Sequence, residues 1–363
     1  MSRLVSVQLG LLRETSPGER RVALTPDDVR RLSARLFIRF EPGCGREAGF
    51  ADDDYIAAGA EPADLHDLLS FSDMLASVRR PADKTAFKAN AIVIYLSPRG
   101  ETKTAAVGTG NVFHLDLARI AGLRDAGVMD VWSRQAAMVG QAATLEAARE
   151  LGATPGMLAI DGNFVRPIAM AAIGTGPAGL QALATARRLG AVTHGFGFET
   201  DSRRKIERLG AKYLAVSGDT PPSTPRSGDI AIIQANLAHH LKKMRFIITA
   251  VVTASGEAPV LLDEKALSEL ASGTVIVDLA ADWGGNCALT KPGYTTEFRG
   301  VRIIGSTNLA SREPAKASAV FSEGISRFIE HLLGDDGHPD AYRNDPFVRA
   351  ARGQVLEERG LVS

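Results

Sequence analysis

Cysteine is scarce: only Cys44 and Cys287 occur in 363 residues. They lie far apart without metal-ligand spacing, so neither a disulfide framework nor a zinc site is expected, and a reducing, cytoplasmic setting is. A charge excess is also absent, with 42 Lys plus Arg against 42 Asp plus Glu. A chain of no net sign gives nucleic acid or an anionic membrane no long-range attraction, which leaves a small molecule as the expected partner. No apolar run reaches the ~18 residues that suggest a membrane span, so insertion of this chain into a bilayer is not expected. The opening "MSRLVSVQLGLLRETSPGERR" has no small-residue cleavage site after its short apolar stretch, which reads as a strand.

What is present fits an α/β protein. Hydrophobic residues make up 45% and 36 glycines are spread along the chain, as expected where strands, turns and helices alternate. The length suggests two domains of ~100–200 residues each. "LVSVQLGLL", "FIRFEPG", "DMLASV" and "AIVIYLS" read as strands of a first α/β domain. Between the first two, "TPDDVRRLSARL" reads as a helix, with Thr25 as N-cap, Pro26 at the first position and Asp28 adding negative charge to the first turn. "DVWSRQAAMVGQAATLEAAREL" is a long helical stretch ended by Gly152 and Pro155, fit to bridge two domains. "PIAMAAIGTGPAG", "AVTHGFGF", "FIITAVV", "GTVIVDLA" and "VRIIGST" supply the strands of a second domain. "SAVFSEGISRFIEHLLG" has apolar residues at helical spacing and is expected to return to the first domain. The expected division is 1–135 plus 310–363, and 136–309. "VSGDTPPSTPRSGD" reads as an exposed connection, with a flap over a site as the alternative.

The most chemically informative stretch is Gly174-x-Gly176-x-x-Gly179, directly after a strand and before a helix. In such a turn the first glycine permits the tight bend, the second lets a pyrophosphate approach the backbone, and the third lets helix and strand pack closely. Gly174, Gly176, Pro177, Ala178 and Gly179 are therefore candidate cofactor contacts. An NAD-binding unit then places Asp or Glu at the end of the next strand to hold the adenosine ribose. Here Gly197 stands there, followed by Glu199 and then Arg203 and Arg204. Glu199 is a candidate substitute for the ribose contact, whereas Arg203 is a candidate for the extra phosphate of NADP or a residue of a solvated helix face.

With "ERRVALTPDDV", "EPGCGREAGFADDDYIAAGAE", "IGTGPAGLQALATARRLGA", "ERLGAKYL" and "GTVIVDLAADWGGNCALTKPG" in view, the chain resembles the alanine dehydrogenase and nicotinamide nucleotide transhydrogenase family. The likeness is greatest to the soluble NAD-binding first domain of the transhydrogenase alpha subunit. It implies two Rossmann-like domains with mostly parallel sheets and a cofactor cleft between them, the first built from both chain ends, and a homodimer or higher homo-oligomer. It also implies NAD or NADP as cofactor.

Carried over residue by residue, the resemblance makes Arg21 the holder of a substrate carboxylate. The family lysine falls on Ser77 and the alanine dehydrogenase histidine on Ser97, so two ionisable groups are missing. Asp282 occupies the position of an active-site aspartate, with a turn residue before Gly284 and Gly285 as the alternative. Of the nicotinamide-contacting loop, Asp130 and Ser133 match, while its glutamine and arginine fall on Gly127 and Gly122. The transhydrogenase mobile-loop tyrosine has no counterpart near Ile230. Asn308 and Arg312 line up with cofactor-side positions of "STNLASREP". His239 and His240 are adjacent and lack metal spacing, and His114 reads as structural, with a base as the alternative.

Three functions remain open at this point. The first is NAD(P)-dependent hydride transfer involving a small amino, imino or keto acid. The second is a transhydrogenase alpha-type subunit working with a membrane partner, and the third is a non-catalytic dinucleotide-binding protein.

Overall fold

The computed structural model describes residues 7–81, 87–98, 112–153, 155–160, 163–216, 227–253, 256–333, 337–340 and 344–353. The Pro- and Ser-rich connection lies mostly outside them. The chain forms two compact units, Met1–Gln135 with Ala310–Ser363, and Ala136–Leu309.

The first unit begins with β1 (Gln8–Leu11), α1 (Pro26–Leu32), β2 (Phe37–Phe40), α2 (Asp52–Ala57) and β3 (Glu61–Pro62). It continues with α3 (Leu65–Phe71), β4 (Met74–Ala76), β5 (Ile92–Tyr95) and β6 (Phe113–Asp116). The strands form one parallel sheet in the order β3-β2-β1-β4-β5-β6. β4 and β5 are buried at every residue, as expected of central parallel strands covered on both faces. Strand order reverses between β1 and β4, and the segments following these two strands therefore open a crevice at their carboxyl ends.

α4 (Val131–Leu151) carries the chain past Gln135 into the second unit. There follow a hairpin of β7 (Leu158–Ile160) and β8 (Asn163–Val165), then β9 (Ala169–Ile173), α5 (Pro177–Arg188) and β10 (Val192–Phe196). Next come α6 (Ser202–Arg208), β11 (Lys212–Tyr213), α7 (Ser227–Leu241), β12 (Phe246–Thr249) and α8 (Glu264–Ser268). β13 (Val275–Asp278), β14 (Thr295–Phe298) and β15 (Val301–Gly305) complete it. The order is β11-β10-β9-β12-β13-β15-β14, parallel except for the edge strand β14. Alternation along β9 sends Met170 and Ala172 into one apolar cluster and Ala171 and Ile173 into the other, so the sheet is covered on both faces. Order reverses between β9 and β12, again at carboxyl ends.

α9 (Pro314–Leu333) returns to the first unit and α10 (Pro346–Ala351) closes it. Phe321, Ile325, Phe328, Ile329 and Leu332 recur at helical spacing and are all fully buried in its core. Ser318 and Ser322 accept the backbone N–H of Val22 (3.0 Å) and Thr25 (2.9 Å). Thr25 does stand before α1 in extended conformation with Pro26 after it, but its side chain makes no cap hydrogen bond and instead lies 3.3 Å from Ser322 Oγ. Tertiary packing has redirected a local capping group. α10 falls in a tail whose sequence carries no clear motif, although Asp345 caps it by accepting from Phe347 and Val348 backbone N–H.

Candidate functional site

The turn from β9 into α5 is built by three glycines in three different ways. Gly174 has φ +117, and a Cβ there would stand 2.6 Å from the Ala250 carbonyl oxygen beyond β12. Gly179 lies against the Gly174 carbonyl, whose carbon would be 2.9 Å from an added Cβ. Gly176 would meet nothing within 4 Å. The back of the turn is thus closed by backbone contact while its front is open, beside the first N–H groups of a 12-residue helix. Those unpaired N–H groups and the helix dipole favour an anion, and a phosphate-bearing ligand fits this cradle. Gly140 of α4 touches the same turn from behind, since a Cβ there would be 2.8 Å from the Ala178 carbonyl carbon. Pro177 and Ala178 begin α5.

Gly197 follows β10 and is closely packed. A Cβ at this position would be 2.6 Å from both Ser202 Oγ and Thr175 Cγ2, with Thr175 Oγ1 closer still. The two hydroxyls are buried and hydrogen-bonded to each other at 2.7 Å. Glu199 is exposed and paired with Lys205, which also reaches Asp201 at 3.1 Å. Arg203 stands over the Tyr213 ring, 5.2 Å from its centroid, and 3.7 Å from Glu207.

At the end of β13 the principal carboxylate is Asp278, which no motif in the sequence singles out. It is fully buried and accepts from Ala280 N (3.0 Å), Asn286 N (2.7 Å), Cys287 N (3.2 Å) and Thr290 Oγ1 (2.6 Å). Asn286, also fully buried, binds the Val251 backbone through both amide atoms at 2.9 Å each. Together they tie the segments after β12 and β13. Asp282 lies on a short 3-10 turn (Ala281–Trp283), exposed, before Gly284 and Gly285 at φ +102 and +83. Asn308, after β15, has φ +47, a conformation asparagine tolerates better than most residues.

In the first unit a charged cluster sits beyond β1 and β4. Arg21 is buried and gives Nε and Nη2 to Glu19 at 2.7 and 2.6 Å and Nη1 to Gln135 at 2.8 Å. Glu19 also accepts from Arg79 Nε (2.9 Å) and Ser311 Oγ (2.7 Å). Burial disfavours the Glu19 charge, but the hydrogen bonds and charge of Arg21, with Arg79 and Ser311, outweigh it and hold the carboxyl at about 2. Glu14 faces the backbone N–H groups of Val78 and Arg79. Its withdrawal from water, opposed by the Val78 hydrogen bond and reinforced by Glu19, pushes the carboxyl up to about 7. With Glu14 protonated, Glu19, Arg21 and Arg79 sum to +1; with Glu14 ionised the four sum to zero. Ser77 donates its hydroxyl to Arg79 O, and Ser97 donates its N–H to Asp116. Motif position points to Arg21 but not to Glu14, Glu19 or Gln135; the signal available for the acids is "RETSPGERR", where two of them flank the turn before the expected arginine.

Asp130 accepts from Ser133 N at 2.9 Å and from Gly122 N at 3.0 Å. It caps α4 and pins the preceding turn, which accounts physically for an Asp and a Ser three positions apart. His114 is half-buried between the rings of Phe87 and Tyr95, with centroids at 6.1 and 5.9 Å. Among the described residues, no group of three or more His, Cys, Asp or Glu could hold a metal ion, and no helix is long and apolar enough to cross a membrane. Cys44 and Cys287 are buried free thiols.

The sequence matches the alanine dehydrogenase/PNT N-terminal domain over residues 10–139 and the C-terminal domain over residues 143–358, and the chain belongs to this family. It is 30% identical to an NAD(P) transhydrogenase alpha-subunit chain of Rhodospirillum rubrum, covering 91% of each chain. Identity to alanine dehydrogenase 1 of Staphylococcus aureus strain RF122 is 23%, covering 94% of this chain and 91% of that one. A solved transhydrogenase from Sinorhizobium meliloti superposes with a TM-score of 0.83 at 29% identity, covering 94% and 97%. Both named activities are oxidoreductases, and the family resemblance and the α/β, parallel-sheet fold expected from the sequence are upheld.

Proposed function

We propose that this chain binds a nicotinamide dinucleotide at the Gly174–Gly179 turn and takes part in hydride transfer with a small amino, imino or keto acid. The observation that carries this reading is the turn itself: closed behind by Gly174 and Gly179, open in front of Gly176, and located where strand order reverses. Backbone N–H groups of Gly176 and Ala178 would take the pyrophosphate, Pro177 between them having none to give, with Asn308 and Glu199 on the cofactor side. The bound dinucleotide supplies the hydride chemistry, and the protein supplies placement and exclusion of water. Arg21 would orient a substrate carboxylate, supported by the surplus positive charge that the Glu14–Glu19–Arg21–Arg79 cluster has when Glu14 is protonated. Asp282, exposed on its turn, would handle a proton, and Asp130 with Ser133 would face the nicotinamide.

One observation favours a second reading, a transhydrogenase alpha-type subunit exchanging hydride between NAD(H) and NADP(H) with a membrane partner. The Nε/Nη2 edge of Arg21, the edge that would grip a carboxylate in bidentate fashion, is occupied by Glu19. Both readings are consistent with a cytoplasmic protein and a homo-oligomer. The deciding experiment begins with titration of NADH and NADPH by nicotinamide fluorescence; absence of binding by both refutes the proposal. Turnover with small 2-amino or 2-keto acids then supports the first reading, whereas turnover only with a second dinucleotide supports the other. Binding without turnover under either condition leaves a dinucleotide-binding protein.

A further inference from the structure

The space around Gly197 has a consequence for which dinucleotide is taken, and this rests on the dinucleotide reading above. In doubly wound units a carboxylate at the end of the second strand accepts from the adenosine ribose hydroxyl, and the same charge repels a 2′-phosphate. Here β10 ends without one, and the seat is physically filled. Thr175, the residue between the first two glycines of the turn, meets Ser202 at the start of α6 with 2.7 Å between hydroxyls, both side chains buried. Any β-carbon at position 197 would overlap these two side chains. Changing Gly197 alone therefore cannot install the acid.

The neighbouring charges point the same way. Glu199 and Asp201, the nearest acids in sequence, share Lys205, and Asp201 also lies 3.6 Å from Arg204. Across residues 199–207 three acids (Glu199, Asp201, Glu207) balance three bases (Arg203, Arg204, Lys205). The segment thus has paired carboxylates and nearby guanidinium groups, while the Thr175–Ser202 pair presents hydroxyls that carry no charge.

We propose that Thr175, Gly197 and Ser202 form one steric unit that shuts a carboxylate out of the ribose seat, so that the chain accepts 2′-phosphorylated dinucleotide, NADP(H), alongside NAD(H). The test is titration of the full chain with NADH and with NADPH, following nicotinamide emission, together with thermal unfolding. In the unaltered protein the two dissociation constants are expected within about tenfold of each other, a window of about 1.4 kcal/mol. Gly197→Asp alone is expected to lower the melting temperature, because the collision remains. The triple variant Thr175→Ala, Ser202→Ala, Gly197→Asp opens the seat and is expected to weaken NADPH relative to NADH by more than about tenfold. Thr175→Ala with Ser202→Ala is expected to keep the original ratio.

NADH binding by the unaltered protein with no NADPH binding at a hundredfold higher concentration overturns the proposal while leaving the dinucleotide reading standing. A folded triple variant with an unchanged ratio overturns it as well, as does Gly197→Asp with unaltered melting temperature. Failure of both nucleotides to bind the unaltered protein removes the dinucleotide reading itself. If the triple variant does not fold, the ratio in the unaltered protein decides.

Discussion

Replacing Glu19 with Gln should cost the first unit about 3 kcal/mol at neutral pH. Glu19 accepts from Arg21 N, Nε and Nη2, from Arg79 Nε and from Ser311 Oγ, five donors on a side chain that is 1% exposed. A carboxylate offers roughly four lone-pair sites. Glutamine keeps one acceptor oxygen and turns an N–H₂ group toward guanidinium donors, leaving two cations without their shared counter-charge. Breaking a buried pair in this way costs about 3–5 kcal/mol. A carboxyl held at about 2 instead of 4.5 gives a similar figure, about 3 kcal/mol at about 1.4 kcal/mol per unit. Because the folded value is the lower one, this stabilisation is present above the unfolded value near 4.5 and is lost as pH falls through about 2. Urea unfolding reads the difference. Trp132 belongs to the first unit and Trp283 to the second, so a Trp283→Phe background lets fluorescence report on the first unit. A loss below about 1 kcal/mol at pH 7, or an equal loss at pH 2, would refute the reasoning.

Glu14 carries the opposite sign. Its folded value is raised to about 7, so its contribution is present below 4.5 and lost as pH rises through 7. Urea midpoints of the first unit should fall between pH 5 and pH 8, and Glu14→Gln should flatten that slope. Gly179→Ala should unfold at lower temperature, because its Cβ strikes the Gly174 carbonyl, whereas Gly176→Ala should keep its melting temperature and weaken NADH binding. Equal melting temperatures for the two variants would contradict the division of labour within the turn. Asp278→Ala leaves four donors in a buried site without their acceptor and should cost at least about 3 kcal/mol, read by thermal unfolding of the second unit.

The strands were legible because central parallel strands are continuous apolar runs, and "AIVIYLS" or "GTVIVDLA" has no other place to go than a covered sheet. α9 was legible for a related reason, with its apolar residues at helical spacing. The candidate sites were less so, since spacing names residues without naming their neighbours. Gly197 could be read as a missing acid, but the Thr175–Ser202 pair that fills its seat joins side chains 27 positions apart. Asp282 drew attention by position in a motif, while Asp278, at the end of an ordinary apolar strand, is the one that gathers four hydrogen bonds. Arg21 invited a role with a substrate, and only the fold shows Glu19 on its bidentate edge. Thr25 had the right sequence context for a cap, yet Ser322, 297 positions away, engages its hydroxyl.

The serines of α9 carry a consequence for the order in which the protein is made. Val22 and Thr25 have their backbone N–H groups taken by Ser318 and Ser322, and the core around β1 and β2 needs Phe321, Phe328 and Leu332. All residues of the second unit have been synthesised once Leu309 has been added, whereas the first must wait for a helix, Pro314–Leu333, that lies beyond the whole second unit from its opening strand, Gln8–Leu11. On the ribosome the middle of the chain should therefore become protease-resistant before its beginning. Early resistance of residues 7–81 in arrested chains ending before Pro314 would contradict this. The N-terminal strands leave the ribosome first and mature last, so the amino-terminal third is the region that a cell must keep from aggregating while translation finishes.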